Sequence, residues 1–346
     1  MQYNKLGATK IKVAPIIFGT SSLGNLYQAL SKQTKLQIVK EFFNYLESPL
    51  LDSAGKYGAG LALEVIGQCL KELAIESKQI TISNKLGWQR TRLTTPEPKF
   101  EAGVWKDLEF DAKQSISYNG IIECWEQGCQ LLGEDYTPQM LSVHDPDEYL
   151  ALAHSADERK KRFEDILEAY RALNELKKKG YTKAVGVGAK DWQVIKEIET
   201  ELELDWIMFA NSYTIFSHPQ ELLKFMQQMD DKKVGIINSA VFHSGFLIGT
   251  DYFDYIKLDP DDPAHKKKYN WREKFFRLCK QYEVSAAMAC IQFGLSPNSV
   301  CSISLNTSRP DRVKQNIDSI NNPIPQEFWE VLKLDGLISR DYPYLG

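Results

Sequence analysis

The stretch from Leu50 to Gly67 reads LLDSAGKYGAGLALEVIG. Apolar residues run into Asp52, a glycine-rich turn carries Lys56 and Tyr57, and a helix-like run holds Glu64 and Gly67. A strand that ends on a polar side chain and returns as a helix is the building unit of a parallel barrel, which presents its chemistry at the C-terminal ends of its strands. Two more segments end the same way. QITISNKLG places Lys85 after an alternating β-branched run, and QMLSVHDPDEY ends an apolar run at His144.

Working outward, the alternation continues. Residues 3–13 read as a short hairpin around Gly7, of the sort that closes the bottom of a barrel. Strand-like segments lie at 14–20, 49–54, 79–85, 140–145, 183–190, 204–210, 233–240 and 299–304. Between and after them, helical spacing is read at 35–46, 61–73, 115–133, 163–180, 219–229, 270–282, 285–295 and 310–320, with a terminal helix near the end. Asp191 is placed to cap the helix that follows the fifth strand. Residues 88–111, with Pro96 and Pro98, have no clear period and are expected to form a long loop on the catalytic face; the polar residues 147–161 are expected to form a second. The predicted fold is therefore α/β: a (β/α)8 TIM barrel with an N-terminal hairpin and long loops on the C-terminal face, as a single domain over 1–346. An open doubly wound sheet fits less well, because FGTSSLGN after the first strand lacks the GxGxxG phosphate loop.

Composition narrows the class. With 43% hydrophobic and 25% charged residues there is ample material for a core. A net charge of −4 and two isolated KKK runs, at 177–179 and 266–268, argue against a nucleic-acid partner. No segment approaches the roughly 18 uninterrupted apolar residues of a membrane span, and MQYNKLGATKIKV lacks the apolar centre of a signal peptide, so a cytoplasmic protein is expected. The six cysteines form no CxxC pair and read as reduced core residues, with no metal site. The expected partner is a small-molecule substrate, and the expected state a monomer or small homo-oligomer.

Beside Tyr57, the residues Asp52, Lys85 and His144 can each be read blandly, as a turn or cap residue, an ion-pair member and a turn histidine before Asp145-Pro146. Together they suit proton and hydride chemistry. A phenol with an ordinary pKa near 10 exchanges protons poorly at neutral pH unless a cation stabilises its phenolate. Lys85 is that cation in this reading, Asp52 keeps it charged, and His144 hydrogen-bonds the substrate oxygen. Of the other histidines, His154, His218 and His265 are unassigned, whereas His243 follows the seventh strand and is expected at the substrate mouth.

The frame around these residues resembles the aldo-keto reductase family, whose signature is matched by Asp52, Ala54, Tyr57, Gly58, Glu64 and Gly67, with Lys85 at a similar distance downstream. The resemblance implies a barrel that uses NAD or NADP. It extends to NTSRPDRVKQN, where Arg312 and Asn316 fall on the family's adenosine-binding positions. Asn306 replaces a lysine that many relatives use for the 2′-phosphate, which tilts the expectation slightly to NAD. The carboxamide-binding Ser-Asn pair falls on Gly188 and Ala189, and Asn211 takes the place of a glutamine. Asn238 aligns with the aromatic that stacks on the nicotinamide, and Ser239, Phe242, Gly245 and Leu247 with the loop over the pyrophosphate; Gly19 and Thr20 complete the cofactor set. The spacing from Lys85 to His144 and the sequence VHDPDEY look like the aldose 1-dehydrogenase branch, which includes L-fucose and D-threo-aldose dehydrogenases and oxidises the anomeric carbon to a lactone. Trp88, with Gln89, Trp105, Tyr149 and Trp192, suits a sugar. Two alternatives remain open: a reductase of small aldehydes or a pyridoxal-type oxidoreductase, and a cofactor-binding regulatory subunit.

Overall fold

The computed structural model describes residues 1–345. Eight parallel strands close into a barrel in sequence order: β1 (Ile16–Gly19), β2 (Leu50–Ala54), β3 (Thr81–Leu86), β4 (Met140–His144), β5 (Ala184–Ala189), β6 (Trp206–Ala210), β7 (Gly235–Ser239) and β8 (Val300–Asn306), with β8 pairing back to β1. Apolar residues, chiefly Ile, Leu, Val and Ala, form the majority of these segments, as expected of strands covered on both faces. An outer ring of helices packs on the barrel through Ile, Leu and Phe side chains, and several begin at residues that cap them. Ser31, Ser117, Ser155, Asp191 and Ser285 each accept a hydrogen bond from a backbone N–H in the first turn.

The N-terminal hairpin, Asn4–Lys5 against Lys12–Val13, is antiparallel and covers the floor of the barrel. Leu6, Ile11 and Val13 form one buried cluster there with Ile17, Leu50, Met140, Ala184, Trp206, Met208 and Ile237.

The opposite end differs from the sequence expectation in two places. Residues 88–111 are not one loop: Trp88–Arg92 pairs antiparallel with Phe110–Gln114 in a separate two-stranded sheet. Its strands are short, polar and partly exposed, so they lack the apolar alternation that marks a core strand. Residues 147–161 are largely helical, with a short helix at Pro146–Ala151 and a long one from Ala156 to Lys178. The high charge of that segment hid the helix start at Ser155. After β7 the chain makes a tight turn at Phe246–Ile248 and a small hairpin, Tyr252–Phe253 against Ile256–Lys257.

Candidate active site

Asp52 and Lys85 lie on β2 and β3, where Ala54 pairs with Lys85 and Asp52 with Ser83. Both side chains are buried, and the Lys85 ammonium donates to the Asp52 carboxylate at 2.6 Å. Tyr57 stands on the turn after β2. Gly58 makes that turn possible: its φ is +61°, and a Cβ there would lie 2.3 Å from the Gly24 carbonyl oxygen. The backbone therefore presses against the turn at Ser21–Gly24 and lifts the tyrosine ring to the barrel mouth. Lys85 Nζ lies 4.9 Å from the centre of that ring, and His144, at the end of β4, meets it edge-on at 5.5 Å. The four residues expected from the sequence thus converge on one mouth.

Signature residues outside the four hold this arrangement. Glu64 accepts a hydrogen bond from Arg90 at 2.9 Å, and Arg90 also donates to the Ala59 carbonyl, tying the extra hairpin to the Tyr57 turn. Gly67 permits close helix packing, since a Cβ there would lie 2.1 Å from the Leu132 carbonyl oxygen. Trp88, Phe100 and Trp105 form an aromatic wall beside Tyr57, with Trp105 6.0 Å from its ring.

The electrostatics correct one expectation. The Tyr57 phenol is pushed well above its ordinary value, first by burial and then by Asp52 and Asp145, while Lys56 pulls it down. The phenol therefore holds its proton through neutral pH. His144 is driven well below the usual imidazole range by burial and by Lys85 and Lys56, so it is neutral.

A second charged network surrounds the four, and sequence reading missed it. Lys56, itself buried, reaches Glu101 at 2.9 Å, Glu148 at 2.9 Å and Asp145 at 3.2 Å. Burial alone would lower its pKa, but Asp145, Glu101 and Glu148 together raise it. Asp145 also lies 3.5 Å from His144 Nε2. Lys190 pairs with Glu148, and its ammonium lies 4.8 Å from the ring centre of Tyr255. The available signal was adjacency: Lys56 directly precedes Tyr57, and Asp145 directly follows His144.

This geometry has known counterparts. The Aldo/keto reductase family profile matches residues 15–334. The chain belongs to the aldo/keto reductase family. It is 28% identical to a pyridoxal 4-dehydrogenase of Microbacterium luteolum, over 96% of this chain and 97% of that one. It is 25% identical to a D-threo-aldose 1-dehydrogenase of a Pseudomonas species, over 94% of each chain. In fold it is similar to the holo form of an aldo-keto reductase from Bacillus halodurans, with a TM-score of 0.70 at 19% identity, covering 98% of this chain and 97% of that one.

Family membership implies a nicotinamide cofactor, and residues at the rim fit one. Asn211, after β6, is held at φ +62° with its backbone N–H on the Ser239 carbonyl, and its buried Oδ1 has no hydrogen-bond partner among the described residues. That is an acceptor awaiting a donor such as a carboxamide. The helix Pro310–Asn321 starts without a side-chain cap, a setting that favours an anion, and it carries Arg312 and Asn316. Arg312 is exposed and donates to Gln315. Asn306 is exposed at the end of β8 and accepts from the Ser22 N–H, and Gly19 lies beside it. Ser239 is half-buried, with its hydroxyl on the Phe209 carbonyl. Gly245, at φ +93°, starts the turn after β7. Leu247 is fully buried, and its N–H donates to the Phe242 carbonyl within that turn. Thr20 is also buried, its hydroxyl donating to the Asp52 carbonyl, which makes it a brace for β2.

Two expected contacts are placed elsewhere. Asn238 points outward from β7, fully buried, and donates to the carbonyls of Tyr213 and Gly294. Strand alternation puts it on the helix-facing side with Ile236, so it does not meet the nicotinamide position. His243 does not line the mouth: it is 2% exposed, with Nε2 on the Thr214 hydroxyl at 2.8 Å and Nδ1 on Asp254 at 2.7 Å. It anchors the loop after β7. Gly188, in place of a polar carboxamide ligand, leaves room for the Lys85 stem, which lies 3.0 Å from where a Cβ would stand.

Proposed function

We propose that the chain interconverts an alcohol or hemiacetal with the corresponding carbonyl, and that its preferred reaction is oxidation of an aldose at C1 to the lactone. The bound nicotinamide supplies the hydride acceptor in that direction and the donor in the other. In oxidation, Tyr57 takes the proton from the C1 hydroxyl as the carbon–oxygen double bond forms; in reduction it returns that proton to the carbonyl oxygen. Neutral His144 donates a hydrogen bond to the same oxygen and fixes its position. Lys85 works through Tyr57, and Asp52 keeps Lys85 charged and in place.

The observation that carries this reading is the Asp52–Lys85 pair at 2.6 Å beneath the Tyr57 ring, with His144 at its edge. Asn211, Asn306, Arg312 and Asn316 are assigned to the dinucleotide, with the loop that carries Ser239, Gly245 and Leu247 over its pyrophosphate. NAD is assigned in preference to NADP because Asn306 carries no charge. The aromatic wall of Trp88, Phe100 and Trp105 favours a ring-shaped substrate. That wall suits the pyridine ring of a pyridoxal-like aldehyde as well as the C–H face of a pyranose, so oxidation of such an aldehyde is the second reading.

Initial rates on a panel of free aldoses with NAD, set against small aldehydes with NADPH and pyridoxal with NAD, test the assignment. Aldose oxidation with NAD is the expected major activity. Turnover confined to aldehyde reduction with NADPH would overturn it.

A further inference from the structure

The charged network around the four catalytic candidates bears on what they can accept. Lys56, from the turn after β2, is matched by Glu101, Asp145 and Glu148, and Lys190, after β5, is matched by Glu148. Lys85 is matched by Asp52. Each of the three ammonium groups at this mouth therefore already has a carboxylate at ion-pair distance. Two cations against three carboxylates leave the outer network with one net negative charge, and the Asp52–Lys85 pair adds none.

The groups are also rigidly seated. Lys56 lies 5.3 Å from the centre of the Trp88 ring, and its partners come from the extra hairpin region and the short helix after β4. Asp145, in a left-handed conformation at φ +48°, is turned back toward both Lys56 and His144. Bringing a phosphate or carboxylate to this mouth would either pull a lysine from its partners or place like charges together in a site of reduced dielectric, and both are unfavourable.

We propose that the Lys56 network makes this mouth selective for uncharged, hydroxyl-bearing substrates, and excludes their phosphorylated and carboxylated counterparts. Asp145, Glu148 and Glu101 are the specificity-determining residues, and Lys56 is the cation they hold out of reach of a substrate anion. The proposal rests on the oxidoreductase reading for where the substrate sits, and it does not depend on which sugar or aldehyde is used.

The test compares matched pairs on the enzyme with NAD bound: a free aldohexose and its 6-phosphate, glyceraldehyde and its 3-phosphate, pyridoxal and its 5′-phosphate. The expected kcat/KM favours the neutral member of whichever pair is turned over by about a hundredfold, and the ratio shrinks as salt is raised. Glu148→Gln, which releases both Lys56 and Lys190 from one partner, narrows the ratio by about tenfold. Glu101→Gln, on a different loop, narrows it in the same direction and covers the case in which the first variant does not fold. The ratio within each pair is the readout, so a general loss of activity does not mimic the effect.

Calorimetric binding of the same pairs reads the discrimination even if nothing is turned over, which separates failure of this inference from failure of the catalytic reading. A phosphorylated member that binds or reacts as well as its neutral partner would overturn the charge selection. So would a ratio that neither variant moves, or binding of neither member of any pair.

Discussion

The two ends of the barrel are built from the same eight strands and share almost no chemistry. On β2, Leu50 belongs to the apolar floor and Asp52, two residues further, to the site. On β4, Met140 lies in the floor and His144 at the mouth. Period-two alternation keeps both members of each pair facing the barrel interior, so about 7–13 Å along a strand separates a dry core from an ionic one. Between them lie buried polar atoms without protein partners: Asp52 Oδ1, Ser83 Oγ, Ser142 Oγ and His144 Nδ1. The floor is sealed by the hairpin and Trp206, whereas the mouth is framed by loops. Stability and chemistry are thus assigned to opposite ends, and mutations should separate them.

The largest effects should come from one substitution at each end. Tyr57→Phe removes the proposed proton donor while keeping the ring against Trp105 and His144, so kcat/KM should fall by about 10²–10⁴-fold with the melting temperature nearly unchanged. Trp206→Ala empties a fully buried site in the floor and costs about 3–5 kcal/mol of stability by denaturant titration, with turnover per folded molecule retained. If Tyr57→Phe keeps near-normal turnover, the assignment of the acid fails. If Trp206→Ala abolishes turnover in fully folded protein, the separation of the two ends is wrong.

The Asp52–Lys85 pair stands where the two regimes meet, and should report on both. Asp52→Asn leaves a buried ammonium without its counter-ion and is expected to cost about 3–5 kcal/mol along with most activity. The double variant Asp52→Asn/Lys85→Met removes the orphaned charge as well. It should regain much of the lost stability and none of the catalysis, as read by paired unfolding and rate measurements. Equal stability for the single and double variants would mean that the pair is not electrostatically isolated at this depth.

The same boundary separates what the sequence made legible from what it did not. The strands and most helices were readable because buried strands are short apolar runs between turns, and because Asp52, Lys85 and His144 each stand near the C-terminal end of one of them. The antiparallel hairpin at Trp88–Arg92 and Phe110–Gln114 was hidden, since its strands are held by Arg90, Gln127 and Glu64 as much as by apolar burial. Asn238 was misplaced because alignment to a resembling position says nothing about side-chain direction, which strand parity decides. His243 was misplaced for a related reason: a histidine after a strand end points to the mouth only if the turn lets it, and here φ +47° folds it under the loop onto Thr214 and Asp254. The Lys56 network joins five residues from four segments distant in sequence, and pairings of that kind are fixed only by tertiary structure.

A smaller set of effects should appear with pH at the mouth. Tyr57 is raised, so its protonated form persists through neutral pH. Reduction needs that proton and should stay level until strongly alkaline conditions, while oxidation needs the phenolate and should rise with pH across the accessible range. His144 is depressed, so in acid the unfolded chain binds a proton there that the folded chain does not. Stability from this group is therefore fully present above the ordinary imidazole value near 6.5 and declines as pH falls below it. His144→Asn should flatten that acid decline in thermal unfolding curves. An unchanged decline would assign the effect to other groups.

The smallest expected effect lies at the outer rim, where solvent weakens each contact. Arg312 is exposed and donates to Gln315, so its guanidinium can turn to a 2′-phosphate at little cost, and Asn306 offers no competing charge. Arg312→Ala should weaken NADP by about tenfold and NAD by less than about twofold in fluorescence titrations, with the NADP loss shrinking at high salt. The asymmetry matters more than the size. Both dinucleotides carry the pyrophosphate, so equal losses would place Arg312 on that shared group and leave the proposed preference for NAD to rest on Asn306 alone. Asn306→Lys should then raise NADP affinity with Arg312 present or absent. If it does so only when Arg312 is present, the two side chains act on one phosphate, and the rim is a single anion site that this chain has left half-built.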